Sequence, residues 1–312
     1  MSELRGVILS AGKGSRIDPF NTRFPKPLLP IANRPILGHH LEILKGLGVR
    51  RVSMVVGHLM DKIIGHFGRG DALGLEIDYV EQRATLGIAH ALAQLPPSVE
   101  GPVMVVLGDI FYVPRGLDAM VEQFRAQGES GAVLAVMREP DHAVLKKNFS
   151  VELDAAGRAT RVIEKPALPP NDLKGCGIYL FGPEIFDAVR KTPRTALRDE
   201  YEITSSIQIL IDDGFPVTIS ECIDWDFNVT FAEDLLEGNL RYLDSHGLSS
   251  MIAEDAEIHP DAVVERSVIG PGVRVRTPVR IRDSVLLADT EIARDQDLER
   301  VIASPDIWYP CR

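Results

Sequence analysis

Between Leu9 and Pro27 the chain gathers two glycines, a hydroxyl and two cations: Gly12, Gly14, Ser15, Arg16 and Lys26. The aliphatic run Val7–Leu9 leads straight into this stretch, as a strand buried on both faces would. Glycines let backbone N–H groups close around an anion, and Arg16 and Lys26 add fixed positive charge. Those are the parts of a triphosphate grip. Two familiar phosphate loops are excluded. Gly12-Lys13-Gly14-Ser15 lacks the first glycine of a Walker A motif, and Ile17 stands where Gly-x-Gly-x-x-Gly needs its third glycine.

A second aliphatic run, Val103–Leu107, ends in Gly108-Asp109. A carboxylate there points into the crevice at the strand's end. Mg²⁺ carried on nucleotide phosphates takes only one or two protein oxygens, a task that suits Asp109.

The order Gly12-x-Gly14-Ser15-Arg16, then Pro25-Lys26-Pro27, resembles the signature of the sugar-1-phosphate nucleotidylyltransferases. Further stretches resemble that family in sequence order, over about residues 5 to 245. The resemblance implies a nucleotide site at Leu9, Ala11, Gly12, Gly14, Ser15, Arg16, Gln82 and Gly87. Gln82 would read the base edge, and Gly87 would let backbone meet the base. Ile88 stands where the family often has Thr, while His90 reads as a packing or hydrogen-bonding residue. Glu164-Lys165-Pro166 resembles the family's Glu-Lys-Pro signature, which implies Glu164 on sugar hydroxyls and Lys165 on the sugar phosphate. Ser150 and Gly177 fall in two further sugar-site motifs; Ser150 replaces a glycine, and Gly175 replaces an asparagine that often touches the sugar. Trp225-Asp226-Phe227-Asn228 ahead of Glu233-Asp234-Leu235-Leu236 resembles the late metal motif. Asn228 is then the second Mg²⁺ ligand, with Asp226 as a substitute out of register. The catalytic set implied is Arg16, Lys26, Asp109 and Lys165.

Elements must hold these loops at one edge. Aliphatic runs at Val7–Leu9, Val52–Val56, Val103–Leu107 and Ala132–Val136 alternate with helical patterns at Ile36–Leu47 and Leu117–Phe124. That alternation predicts an α/β fold: a doubly wound, Rossmann-like mixed sheet with ligands at the carboxyl ends of its strands. Helical patterns return at Ile203–Ile211 and Phe231–Leu243, the latter opening on Thr230-Phe231-Ala232-Glu233 as a capping box.

After Ser249-Ser250 the pattern changes. Val263, Ile269, Val275, Ile281 and Leu287 recur every six residues, with Val273, Val279 and Val285 as a second track. This predicts a short left-handed parallel β-helix of hexapeptide repeats, roughly three coils. The tail beyond Leu287 loses the pattern and is expected to cover the open end. The expected domains are a catalytic one at 1–248 and a β-helix at 249–312, the latter for homo-oligomerisation, so that its deletion should disturb assembly or stability more than chemistry.

A net charge of −11 argues against nucleic acid or anionic lipid as partner. No apolar stretch is long enough to span a bilayer. The first strand starts too close to Met1 for a leader, and Cys176, Cys222 and Cys311 show no metal spacing, so a cytoplasmic protein is expected. The expected reaction is NTP plus sugar 1-phosphate giving a nucleotide sugar and pyrophosphate, with Mg²⁺ as cofactor and dTTP or UTP with a hexose 1-phosphate as substrates. Alternatives are a GTP- or CTP-using relative acting on a mannose, cyclitol or choline phosphate, and a non-catalytic regulatory sensor of nucleotide sugars. Acyl transfer through the β-helix is disfavoured by its few coils.

Overall fold

The computed structural model describes residues 3–195 and 199–311. In chain order its first strands are β1 (Arg5–Ser10), the hairpin β2 (Pro30–Ile31) and β3 (Arg34–Pro35), β4 (Arg51–Val56), β5 (Glu76–Glu81), β6 (Val103–Leu107) and β7 (Ile110–Pro114). There follow β8 (Ala132–Arg138), β9 (Phe149–Leu153), β10 (Ala159–Glu164), β11 (Leu173–Phe181), β12 (Val217–Glu221) and β13 (Ile223–Asn228). The chain divides into two compact units that are not contiguous in sequence. One comprises Met1–Gly12 and His40–Asp226, the other Lys13–His39 and Phe227–Arg312.

The first unit is built on a seven-stranded sheet in the order β12-β8-β11-β6-β1-β4-β5. All four aliphatic runs lie in it. β1 pairs in parallel with both β4 and β6, so strand order reverses around β1 and opens a crevice at its carboxyl end. β11 is antiparallel to both neighbours. Helix Ile88–Leu92 and helices Ile185–Lys191 and Ile203–Asp212 cover one face, enclosing Val7, Val55, Val105, Leu134, Tyr179 and Ile207. Between Gly175 and Tyr179, β11 spends two more residues than β8 does opposite it. Gly177 bears that irregularity at φ +74°, where a Cβ would lie 2.8 Å from Leu107 and from the Tyr112 hydroxyl.

In the second unit, helix Ala232–Ser245 packs on the β2–β3 hairpin. The buried Asn239 amide accepts from Ala32 N–H at 2.8 Å and donates to the Pro30 carbonyl at 3.0 Å. The expected capping box is shifted by one residue. Asp234, not Glu233, accepts from the Thr230 and Phe231 N–H groups, each at 2.6 Å.

The C-terminal coils are parallel and three-faced, but their repeat is 17 residues. Met251 faces Val268, Val268 faces Val285, and Val285 faces Ile302. A six-residue track therefore slips by one in each coil. Ile269, Val275, Ile281 and Leu287 are buried as expected, but Val263 is 42% exposed. Val264 takes the inward place in its stead, stacked on Ile281, which stacks in turn on Leu298. Serines turn one corner at the same step: Ser284 N–H donates to Ser267 Oγ at 3.0 Å, and Val301 N–H to Ser284 Oγ at 3.1 Å. Nor do the coils stop at Leu287. They continue through Val301–Ala303, and only Trp308–Pro310 folds back antiparallel on that strand.

Candidate active site

At the carboxyl ends of β1 and β6 the first unit presents Ala11, Gly12, Gly108 and Asp109. Gly108 N–H donates to the Leu9 carbonyl at 2.9 Å, which locks the two strand ends together. A side chain at Gly108 would strike Ser10 Oγ, itself buried and without a hydrogen-bond partner. Gly12 is open, with no atom within 4 Å of a built Cβ. Gln82 is buried at the end of β5, and its amide nitrogen lies 2.9 Å from His90 Nδ1. His90 thus acts as the hydrogen-bonding residue expected of it, and its ring stacks on Tyr201 at 6.0 Å. Gly87 (φ +104°) is required by a neighbour in this unit: a Cβ would fall 2.5 Å from the Tyr201 carbonyl oxygen.

Glu164 ends β10. Its carboxylate accepts from Thr204 Oγ1 at 3.4 Å and lies 4.0 Å from Lys165 Nζ. Lys165 sits at φ +45°, an uncommon conformation for a side-chain-bearing residue, with its N–H on the Asn148 carbonyl at 2.9 Å. Ser150 is fully buried, and its hydroxyl has no partner.

Two residues that the motifs do not include, Lys174 and Tyr112, belong to this region. Lys174 and Asp226 form an ion pair with both side chains almost wholly buried. Lys174 is the single charge in the nine-residue strand LKGCGIYLF, and a buried ammonium demands a carboxylate partner; that was the available signal. The pair engages Asp226, which sequence had offered as a substitute ligand. Tyr112, wholly buried, donates weakly to the Leu107 and Gly177 carbonyls. Burial, reinforced by the negative charge of Asp226 and then Asp109, pushes its hydroxyl well above the usual range.

The remaining candidates are in the second unit. Gly14 (φ +57°) turns the loop, its carbonyl accepting from Ile17 N–H at 3.1 Å. Gly14 packs against Lys26, whose Cβ would be 3.1 Å from an added Cβ. Lys26 Nζ donates to Asn228 Oδ1 at 2.8 Å. Asn21 Nδ2 holds the Ser15 carbonyl at 3.2 Å. The Arg16 guanidinium lies 5.9 Å from the centre of the exposed Phe231 ring, within cation–π reach. Gly14, Ser15, Arg16, Lys26 and Asn228 thus share one unit, and the other candidates the other.

The family model described as Nucleotidyl transferase matches residues 5–235. This chain belongs to that family. A second model, described as GlmU-like, C-terminal hexapeptide, matches residues 241–309. A glucose-1-phosphate thymidylyltransferase of Streptomyces griseus is 31% identical over 313 residues, covering 95% of this chain and 86% of its own. The UTP–glucose-1-phosphate uridylyltransferase AglF of Haloferax volcanii is 32% identical over 238 residues, covering 76% of this chain and 96% of its own. A Bacillus anthracis crystal structure of a candidate glucose-1-phosphate thymidylyltransferase, in complex with sucrose, superposes with a TM-score of 0.69 at 25% identity, covering 77% of this chain and 96% of that one. The enzyme is a nucleotidyltransferase, and its relatives transfer nucleotidyl groups to sugar 1-phosphates. Among the described residues no helix of this nucleotidyltransferase is long and apolar enough to cross a membrane.

Proposed function

We propose that the enzyme joins dTTP or UTP to a hexose 1-phosphate, releasing pyrophosphate. The observation that carries this reading is the cluster in the second unit, where Gly14 packs on Lys26 and Lys26 reaches Asn228. It is a glycine turn backed by a cation and an oxygen donor, as nucleotide phosphates require. The pyrimidine preference is supported by the thymidylyl and uridylyl activities in the relatives' names.

The sugar phosphate is already an anion at neutral pH, its second pKa being about 6, so no general base is needed. The barrier lies in bringing its oxygen in line onto the α-phosphorus of a polyanion. Catalysis is then positioning and charge neutralisation. Leu9, Ala11, Gly12, Gly14 and Ser15 hold the nucleotide, with Gln82 and Gly87 at the base. Arg16 stabilises charge on the departing pyrophosphate, its planar fork matching two phosphate oxygens. Lys26 neutralises the α-phosphate. Lys165 takes the incoming phosphate, with Glu164, Ser150 and Gly177 around the sugar.

Asp109 and Asn228 offer a carboxylate and an amide oxygen, hard donors that suit Mg²⁺. Asn228 Oδ1 also accepts from Lys26 Nζ at 2.8 Å, and its second lone pair would serve the metal. When bound, Mg²⁺ supplies charge neutralisation between nucleotide and sugar phosphates. We place the enzyme in the cytoplasm, with residues 1–248 carrying the chemistry and 249–312 also serving self-association.

A panel of NTPs against sugar 1-phosphates, read by pyrophosphate release and thermal shift, tests the proposal. Preferential turnover of dTTP or UTP with a hexose 1-phosphate supports it. Nucleotide binding without pyrophosphate from any pair would mark a regulatory sensor and end the proposal.

A further inference from the structure

The loop that bears Arg16 and Lys26 is braced by the last strand of the coils. Tyr309, on Trp308–Pro310, sets its ring 6.1 Å from that of Phe20, which is fully buried. The Tyr309 hydroxyl donates to Glu233 in the first turn of helix Ala232–Ser245. Three residues away, Asp306 pairs with Arg23 at 3.2 Å. Phe231, just ahead of that helix, lies beneath Arg16. One tyrosine therefore touches both the loop after Arg16 and the helix entry after Asn228. The division of the chain into compact units agrees, grouping Lys13–His39 with the C-terminal residues and not with the sheet whose first strand feeds it.

We infer that Tyr309 is a positioning residue for nucleotidyl transfer. It holds the Arg16–Lys26 loop and the Asn228–Glu233 segment as one body. The inference rests on the function proposed above and runs against the expectation that the C-terminal region matters to assembly or stability more than to chemistry. Its physical basis is that misplacing a charge-stabilising group by about 1 Å costs on the order of 100-fold in rate. A ring packed on Phe20 and a hydroxyl fixed by Glu233 remove the freedom for such a shift. The neighbouring Trp308 does something different: its ring receives the Arg294 guanidinium at 3.9 Å.

The test compares Tyr309→Ala, Tyr309→Phe and Trp308→Ala in the full chain. Steady-state kinetics are combined with hydrogen exchange over residues 13–28. For Tyr309→Ala, kcat should fall by about 10- to 100-fold, with the KM for sugar 1-phosphate unchanged and exchange in 13–28 accelerated. Tyr309→Phe keeps the ring and loses the bond to Glu233; it should show a smaller change in the same direction. Trp308→Ala should keep wild-type kcat and wild-type exchange in the loop. A folded Tyr309→Ala with wild-type kcat and unchanged loop exchange overturns the inference. If Tyr309→Ala does not fold, an unchanged loop in Tyr309→Phe overturns it instead. Should the wild-type chain turn over no substrate pair, the proposed function fails, and loop exchange alone still decides whether Tyr309 braces the loop.

Discussion

The two compact units hold their candidate residues by different means. In the sheet unit, backbone does the holding: Asp109 follows a Gly108 N–H bonded to the Leu9 carbonyl, Gln82 donates its N–H to the Val56 carbonyl just past β5, and Lys165 hangs from the Asn148 carbonyl. In the second unit side chains do it: Lys26 on Asn228, Arg16 over Phe231, Tyr309 between Phe20 and Glu233. Backbone ladders tolerate exchange of side chains, whereas a side-chain brace fails with a single substitution. The sheet unit should therefore be robust except at the groups that touch substrate. The other unit should be vulnerable at residues that touch none.

The largest expected effect sharpens that contrast. Asp109→Ala should abolish Mg²⁺-dependent pyrophosphate release while the circular dichroism spectrum is kept, because backbone pairing to β1 and β11 holds the strand ahead of it. Full activity in this variant would remove Asp109 from the metal site. Next, Arg16→Ala should lower kcat by about 100- to 1,000-fold, the usual cost of losing one transition-state charge contact. An unchanged rate excludes Arg16 from the mechanism.

The Lys174–Asp226 pair is the place to break the contrast, since it is a side-chain brace inside the sheet unit. Lys174→Met leaves a buried carboxylate unpaired and should cost about 3–5 kcal/mol in urea unfolding. Replacing both partners, with Asp226→Leu added, should recover much of that loss. If Lys174→Met alone is as stable as the wild type, the pair contributes nothing to the fold. In the coils, Ile281→Ala should cost about 2–5 kcal/mol as a cavity, against about 0.5 kcal/mol or less for the exposed Val263→Ala. Equal losses would mean that the 17-residue register is wrong. The smallest effect concerns the thiols. Burial pushes Cys222 and Cys311 up to about 11, so at pH 8 both remain protonated, and iodoacetamide should label them far more slowly in the native than in the unfolded chain. Equal labelling would contradict their burial.

Much of the sheet was legible because buried parallel strands are continuous aliphatic runs, and Val7–Leu9, Val52–Val56, Val103–Leu107 and Ala132–Val136 are such runs. β11 was harder to see as a strand, since Lys174 and two glycines interrupt it. The coils were legible as coils but not in register. Coils of eighteen residues, three six-residue steps, and of seventeen cannot be told apart over two turns from aliphatic spacing alone. The better signal was Arg266-Ser267-Val268 recurring as Asp283-Ser284-Val285, whose first residues both turn the chain at positive φ. Motif residues were readable by type and order. Their braces were not, because Tyr309 lies nearly 300 residues from Phe20 in sequence and only folding brings the two rings together.

In the proposed reaction a single in-line displacement takes place at the α-phosphorus, driven by placed cations. Its most direct test is the stereochemical course with a nucleotide made chiral at that phosphorus. One displacement predicts a nucleotide sugar of inverted configuration. Retention would require a covalent nucleotidyl-enzyme and would rule out direct attack by the sugar phosphate.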